Sequence, residues 1–214
     1  MNKEEFIEEC MKLNIELDEN KLNKLNKFYK MMIEWNKKIN LTRITLEEEV
    51  YLKHFYDSLT LNKAINLKEI NTLCDVGTGA GFPGIVLKIV FPNINITLID
   101  SLQKRVNYLN EVIKELELKD IKAIHVRGED YKEKFDIVTS RAVANIEKLV
   151  NYTMHLVKKE GFFVAMKGNI EEELNNEVRK KISKKYNIIK IISFKLPKEN
   201  SIRNLVIMKN KENM

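Results

Sequence analysis

The sequence predicts an α/β fold: a mostly parallel sheet of seven strands covered by helices on both faces, with a helical extension at its N-terminal end. Three observations predict it. From Thr72 onward, short apolar runs alternate with amphipathic stretches. A glycine-rich turn follows the first of those runs. Before Thr72 no strand-like alternation occurs, and apolar residues recur at helical spacing instead.

The extension covers residues 1–66. Asp18 is placed to cap a helix in which Leu22, Leu25, Tyr29 and Met32 recur three and four apart, with Trp35 near its end. Thr45-Leu46-Glu47-Glu48 fits a capping box before a helix through Val50, Leu52 and Phe55. Residues 67–214 form the core. Thr72–Val76 reads as the first strand, followed by the glycine turn and a helix to about Phe91. Ile94–Ile99 is the second strand, with a helix from Leu102 to about Leu116. Ile121–Val126 is the third strand. Phe135–Ser140 is the fourth, with a helix over Ile146–Val157, and Gly161–Met166 is the fifth, with a charged helix over Ile170–Lys185. Ile188–Phe194 and Ile202–Met208 lie too close for a helix between them, which predicts an antiparallel edge.

Composition narrows the function classes. Hydrophobic residues make up 44% of 214, enough for a core, so the chain is not a disordered tail. There are 37 Lys and Arg against 31 Asp and Glu, a net charge of +6, which permits a polyanionic partner. Cys10 and Cys74 are far apart with no metal-like spacing, as in a reducing cytosol, and His54, His125 and His155 form no metal pattern. The acid-bearing start, Met1 to Glu5, does not read as a secretory signal, and no apolar run approaches a membrane span.

The most informative segment is Leu73-Cys74-Asp75-Val76-Gly77-Thr78-Gly79-Ala80-Gly81-Phe82-Pro83-Gly84, between a strand and a helix. Gly79 to Gly84 satisfies G-x-G-x-x-G, with Asp100 at a compatible distance, so a dinucleotide is the first candidate ligand. Asp75 argues against it. A carboxylate beside the turn would repel a pyrophosphate resting on the helix N-terminus. It suits a ligand bearing an ammonium and a sulfonium, as S-adenosylmethionine does. Asp100, ending the second strand, can accept hydrogen bonds from both ribose hydroxyls.

These residues carry a family resemblance. Asp75 to Gly84, followed by Leu98-Ile99-Asp100-Ser101-Leu102-Gln103-Lys104-Arg105-Val106, closely resembles the RsmG (GidB) family of bacterial 16S rRNA guanine-N7 methyltransferases. Asn40-Leu41-Thr42-Arg43-Ile44, His54-Phe55-Tyr56-Asp57-Ser58-Leu59, Ser140-Arg141-Ala142-Val143-Ala144, Met166-Lys167-Gly168 and Arg203-Asn204-Leu205-Val206 resemble further family motifs in order, over nearly the whole chain. Lys88 departs from a usually more apolar helix, Gln103 stands where many members have Gly, and Asn204 where many have His.

The resemblance implies a Rossmann-like class I methyltransferase with S-adenosylmethionine as cofactor. Its partner would be 16S rRNA or the 30S subunit in the cytoplasm, the protein acting as a monomer without metal. By resemblance Gly77, Gly79 and Phe82 contact the cofactor, Gly128 and Glu129 sit against its adenine, and Arg141 lies at the cofactor or target edge. Lys104, Arg105, Arg141, Lys167 and Arg203 fall near strand C-terminal ends, where cations would attract a phosphate backbone. Asn40, Arg43, His54 and Asp57 come from the extension. His54 and Asp57, three apart on a helix, share a face. They suit either the rim of a target pocket or a bonded pair that seats the extension. Phe82 and Tyr131 are candidates for stacking on a base. Guanine N7 carries an in-plane lone pair, so no catalytic acid or base is expected.

Overall fold

The computed structural model describes residues 1–141 and 144–211. Seven strands form one sheet: β1 (Thr72–Val76), β2 (Asn95–Asp100), β3 (Ile121–His125), β4 (Phe135–Arg141), β5 (Val157–Lys167), β6 (Tyr186–Lys195) and β7 (Ile202–Asn210). Their order is β3-β2-β1-β4-β5-β7-β6. Strands β1 to β5 are parallel, and β7 pairs antiparallel with both β5 and β6. The chain steps outward from β1 to β2 and β3, then returns to place β4 on the other side of β1. That reversal opens a crevice at the C-terminal ends of β1 and β4, where ligands of doubly wound sheets bind.

Alternate strand residues feed opposite faces, as a pleat requires. Leu73, Leu98, Val164 and Leu205 join one hydrophobic cluster; Cys74, Ile99, Ala165 and Val206 join the other. The first face is covered by the N-terminal helices α1 (Lys3–Met11), α2 (Glu19–Ile39), α3 (Glu47–Val50) and α4 (Asp57–Leu59), together with α5 (Gly84–Val90) and α6 (Gln103–Glu115). The second is covered by α7 (Ile146–Thr153) and α8 (Asn176–Ile182). Phe6, Phe28 and Phe55 from the extension are fully buried, each burial contributing roughly 1.5–3 kcal/mol. The extension and the sheet therefore share one continuous core.

Local chemistry explains most boundaries. The Asp18 side chain caps α2 by accepting from the Lys21 N–H at 2.8 Å. The buried stripe of α2 is Leu25, Phe28 and Met32; Tyr29 stays half-buried and donates to the Thr45 carbonyl at 3.1 Å. The expected capping box at Thr45 does not form. The α3 N-cap is Leu46, without a side-chain bond, and the box occurs instead at Asn2 and Glu5. A π-helical stretch, Tyr51–Tyr56, joins α3 to α4. The charged helix expected over Ile170–Lys185 shortens to α8, capped by Asn175. Pro83 is the N-cap of α5, after a cis Phe82–Pro83 bond.

Lys88, the polar break in α5, is 2% exposed. Its ammonium donates to the Pro92 and Ile94 carbonyls at 2.7 and 2.6 Å, tying the end of α5 to the approach to β2. Burial holds its pKa below the usual lysine value. Lys88→Met keeps the stem but orphans both carbonyls, so unfolding stability should fall by about 1–3 kcal/mol. An unchanged urea midpoint would show that the ammonium contributes nothing to this turn.

Candidate functional site

Three adjoining cavities lie at the strand C-terminal ends. One, about 370 Å³, is lined by Val76, Ile99, Leu102, Val126, Gly128 and Tyr152, with Glu129 at its edge. A second, about 330 Å³, holds Thr42, Gly79, Phe82 and Arg105. Gly77, Asp100 and Ser101 line both, so the two form one crevice. The third, about 550 Å³, contains Asp57, Lys167, Phe194 and Arg203. His54 and Arg141 line both the second and the third. They form the partition between crevice and outer cavity.

The glycine turn owes its path to backbone that only glycine adopts readily. Gly77, Gly79 and Gly81 have φ of 71°, 61° and 95°. A Cβ on Gly79 would meet nothing within 4 Å, so its open side faces the crevice, whereas one on Gly84 would come within 2.2 Å of Leu98 Cδ2. The strand-end acids fix the loop. Asp75 Oδ2 accepts from Thr78 Oγ1 at 2.6 Å and Gly84 N at 2.9 Å. Asp75 is fully buried and lines none of the three cavities, which corrects the expectation that it faces the ligand. Burial pushes its carboxyl up to about 6. Its other oxygen, Oδ1, has no hydrogen-bond partner among the described residues.

Asp100 does face the crevice. Its Oδ2 accepts from Gly79 N at 3.0 Å and its Oδ1 from Leu102 N at 2.9 Å; Arg105 lies 3.4 Å from Oδ2. The carboxylate is thus held rigidly at the junction of the two compartments, with lone pairs left for further donors. Gly128 sits at the far end, where a Cβ would lie 2.9 Å from Val76 Cγ1 and 3.1 Å from the Tyr152 carbonyl. The residue types fit an adenosyl group with a charged tail: an apolar slot, an acceptor midway, and open glycine backbone beyond.

The partition is a polar network across the seam between extension and sheet. Arg141 Nη1 donates to the Lys53 carbonyl and to Asp57 Oδ2, both at 3.1 Å, and Nη2 donates to His54 Nδ1 at 3.1 Å. Arg203 Nε donates to the other Asp57 oxygen at 3.1 Å. Arginine can only donate, so His54 Nδ1 carries no proton and its Nε2–H donates to Thr42 Oγ1 at 2.9 Å. Burial, aided by the Arg141 charge, holds the His54 pKa down to about 3. The His54 ring stacks on Phe82 at 4.4 Å and 18°. His54 and Asp57 therefore both seat the extension and line the outer cavity.

Other expected residues fall differently. Lys167 lines the outer cavity but is 7% exposed, paired with Glu173 at 2.8 Å and bonded to the Ala144 carbonyl. Phe82 is 4% exposed beneath His54, so it offers no face to a base. Tyr131 stacks on Phe135 in the second core cluster, away from the cavities. Asn40, Arg43 and Lys104 are exposed and line none of the three. Asn40 instead ends α2 in the left-handed conformation at φ 48°, turning Leu41 and Thr42 toward the crevice. Ala142 and Val143 lie outside the described residues. Thr42, Ser101, Val126 and Tyr152 are lining residues that the sequence reading missed. Among the described residues no group of three or more His, Cys, Asp or Glu could hold a metal ion. No helix among them is long and apolar enough to cross a membrane.

Comparison with known proteins agrees with this fold. Among solved structures, a SAM-dependent methyltransferase from Aquifex aeolicus matches with a TM-score of 0.56 at 17% identity, over 82% of this chain and 97% of that one. A precorrin-6y C5,15-methyltransferase from Geobacter metallireducens GS-15 gives 0.51 at 12%, over 70% and 87%. At such identities the likeness is one of fold. The sequence relatives are much nearer. The ribosomal RNA small subunit methyltransferase G of Bacillus subtilis (strain 168) is 43% identical over 220 residues, spanning 100% of this chain and 92% of that protein. That of Thermoanaerobacter sp. (strain X514) is 44% identical, spanning 98% and 90%. The family described as GidB, rRNA small subunit methyltransferase G, matches residues 21–206. With its fold, its crevice and its full-length relatives in agreement, the chain belongs to the rRNA small subunit methyltransferase G (GidB) family.

Proposed function

We propose that this chain transfers a methyl group from S-adenosylmethionine to N7 of a guanosine in 16S ribosomal RNA. The observation that carries the reading is the shared wall. A crevice suited to the cofactor and a cavity lined by Arg203, Lys167 and Arg141 meet at His54 and Arg141. A base in the outer cavity is thereby brought against the inner end of the crevice. The cofactor, when bound, supplies a methyl group on a positively charged sulfonium.

The protein's part is positioning and electrostatics. Asp100 would hold the ribose hydroxyls, the Gly128 turn would bound the adenine, and the open backbone at Gly77 and Gly79 would admit the methionine portion. Guanine N7 already has a free in-plane lone pair, so no side chain need remove a proton. A donor on N7 would block attack, which rules out the usual bidentate arginine contact to O6 and N7. Arg141 fits that requirement, because three of its N–H bonds go to Lys53, Asp57 and His54. Arg105 and Arg203 retain free donors for RNA phosphates. The rRNA substrate and bacterial relatives favour the cytoplasm. A monomer acting without a metal is part of the proposal, since a lone pair that is already free needs no metal to activate it.

The test is transfer of radiolabelled methyl to 30S subunits and to naked 16S rRNA from a strain lacking a related enzyme. Label at one guanosine, released by cleavage at N7-methylated guanine, is the expected result. No transfer to either, with cofactor binding confirmed, would refute the proposal. For the cofactor half, Asp100→Ala should weaken S-adenosylmethionine binding by about 1–3 kcal/mol in calorimetry. Unchanged affinity would remove Asp100 from the ribose.

A further inference from the structure

The basic character of this protein is concentrated in two segments: residues 21–43 carry seven Lys and Arg and one Glu, and residues 179–198 are the more extreme. Residues 179–198 carry eight Lys and Arg and no Asp or Glu. With +8 in that segment and +6 overall, the rest of the chain is net −2.

The fold lays that segment along one edge. It comprises the last turn of α8, all of β6 and the start of the turn to β7. β6 is the outermost strand and, among the described residues, pairs in the sheet with β7 alone, so one long side faces away from the sheet. Lys180, Lys184, Lys185 and Lys190 are exposed, and among the described residues none has an acid within ion-pair distance. Lys181, by contrast, is paired with Glu147 and Glu177. Both β5 and β6 run antiparallel to β7, so β6 ends on the same side of the sheet as β5, beside the outer cavity. Phe194, near the end of β6, pairs in register with Arg203, and both line that cavity. From Lys185 to Lys195 the strand spans about 33 Å, a track along which several consecutive phosphates of an RNA strand would fit.

We infer that the β6 edge and the α8–β6 turn leading into it, through Lys180, Lys184, Lys185 and Lys190, form a second RNA-binding surface that holds the sugar–phosphate backbone of the substrate outside the target cavity. The inference rests on the proposed rRNA activity for its partner. These contacts carry no base information: they set affinity and approach, while the cavity selects the base. Each phosphate neutralised releases counterions, so the track should dominate the salt dependence of binding.

The experiment compares two four-site variants with the unaltered protein. In one, Lys180, Lys184, Lys185 and Lys190 become Gln. In the other, Lys30, Lys68, Lys114 and Lys119 become Gln, which are equally exposed but lie on α2, α6 and loops away from β6. Equal urea midpoints establish that both variants fold. Binding to 16S rRNA is then measured from 50 to 200 mM salt. The β6 variant should bind about tenfold or more weakly at the low end, and its log–log salt slope should be shallower by roughly 2–3. The control should retain the original slope, and cofactor affinity should be the same in all three. Equal losses in both variants, or none in either, would overturn the inference. So would a β6 effect seen only on phosphatidylglycerol vesicles and not on RNA. If the unaltered protein transfers no methyl group yet shows the β6-dependent slope, the proposed activity fails and the RNA surface stands. If it methylates rRNA and the β6 variant binds as well as it does, the reverse holds.

Discussion

Replacing Arg141 with Ala should abolish methyl transfer and lower stability by about 3–5 kcal/mol, the range for removing one partner of a buried ion pair. The size follows from what the side chain holds. Arg141 is only 13% exposed and satisfies three acceptors at once: the Lys53 carbonyl, the Asp57 carboxylate and His54 Nδ1. Its guanidinium also lies 5.1 Å from the centre of the Phe82 ring. Without it Asp57, 6% exposed, keeps only Arg203, and His54 loses the donor that fixes its tautomer. The partition between crevice and outer cavity then has no frame, and the extension loses its polar tie to β4. Arg141→Lys restores a charge but supplies no planar fork for three separated acceptors. It should recover part of the stability and little of the transfer rate. Denaturant unfolding with single-turnover methyl transfer measures both effects. An unfolding free energy within about 0.5 kcal/mol of the unaltered protein's would mean that the network is ornamental.

Much of this was legible in the sequence, and the reason is periodicity. The strand at Thr72–Val76 and the edge pair β6 and β7 are signalled by apolar runs of strand length with turn residues between them. The glycine turn is legible because three positive-φ positions within five residues leave glycine as the easy choice. What sequence does not show is direction and long-range pairing. Asp75 and Asp100 are both acids at strand ends. Only the packed structure shows that the first points at the Gly84 amide, while the second stands in the crevice. Lys167 reads as a free cation until Glu173 is brought to it by the loop after β5. Phe82 follows a glycine and looks exposed, yet the extension places His54 over it. The Thr45 capping box fails for a related reason: the Thr45 carbonyl serves Tyr29 from a helix 16 residues away, and α3 begins beyond it. In each case the decisive contact comes from another element, so no local pattern could report it.

The second large effect is a pH dependence carried by His54. In the folded protein its pKa is held to about 3, against an ordinary 6.5, first by burial and then by the Arg141 charge. Protonation would also set an Nδ1–H against the Arg141 N–H and forfeit that bond. A group whose folded pKa is depressed contributes stability above its unfolded value and loses it as pH falls toward the folded one. The loss therefore begins near pH 6.5 and grows by about 1.4 kcal/mol per unit, reaching about 3 kcal/mol by pH 4. Asp75 works in the opposite sense. Its carboxyl is raised to about 6, so protonation there favours the folded state as pH falls from 6 to 4. The unaltered protein alone would blend the two. His54→Gln isolates the first, since an amide can accept from Arg141 and donate to Thr42 without titrating, and Asp75 is common to both chains. The stability advantage of the unaltered protein over His54→Gln should thus shrink by about 3 kcal/mol between pH 7 and pH 4. An advantage that stays constant across that range would mean that His54 titrates alike in the folded and unfolded chains, and that Arg141 does not enforce its neutral form.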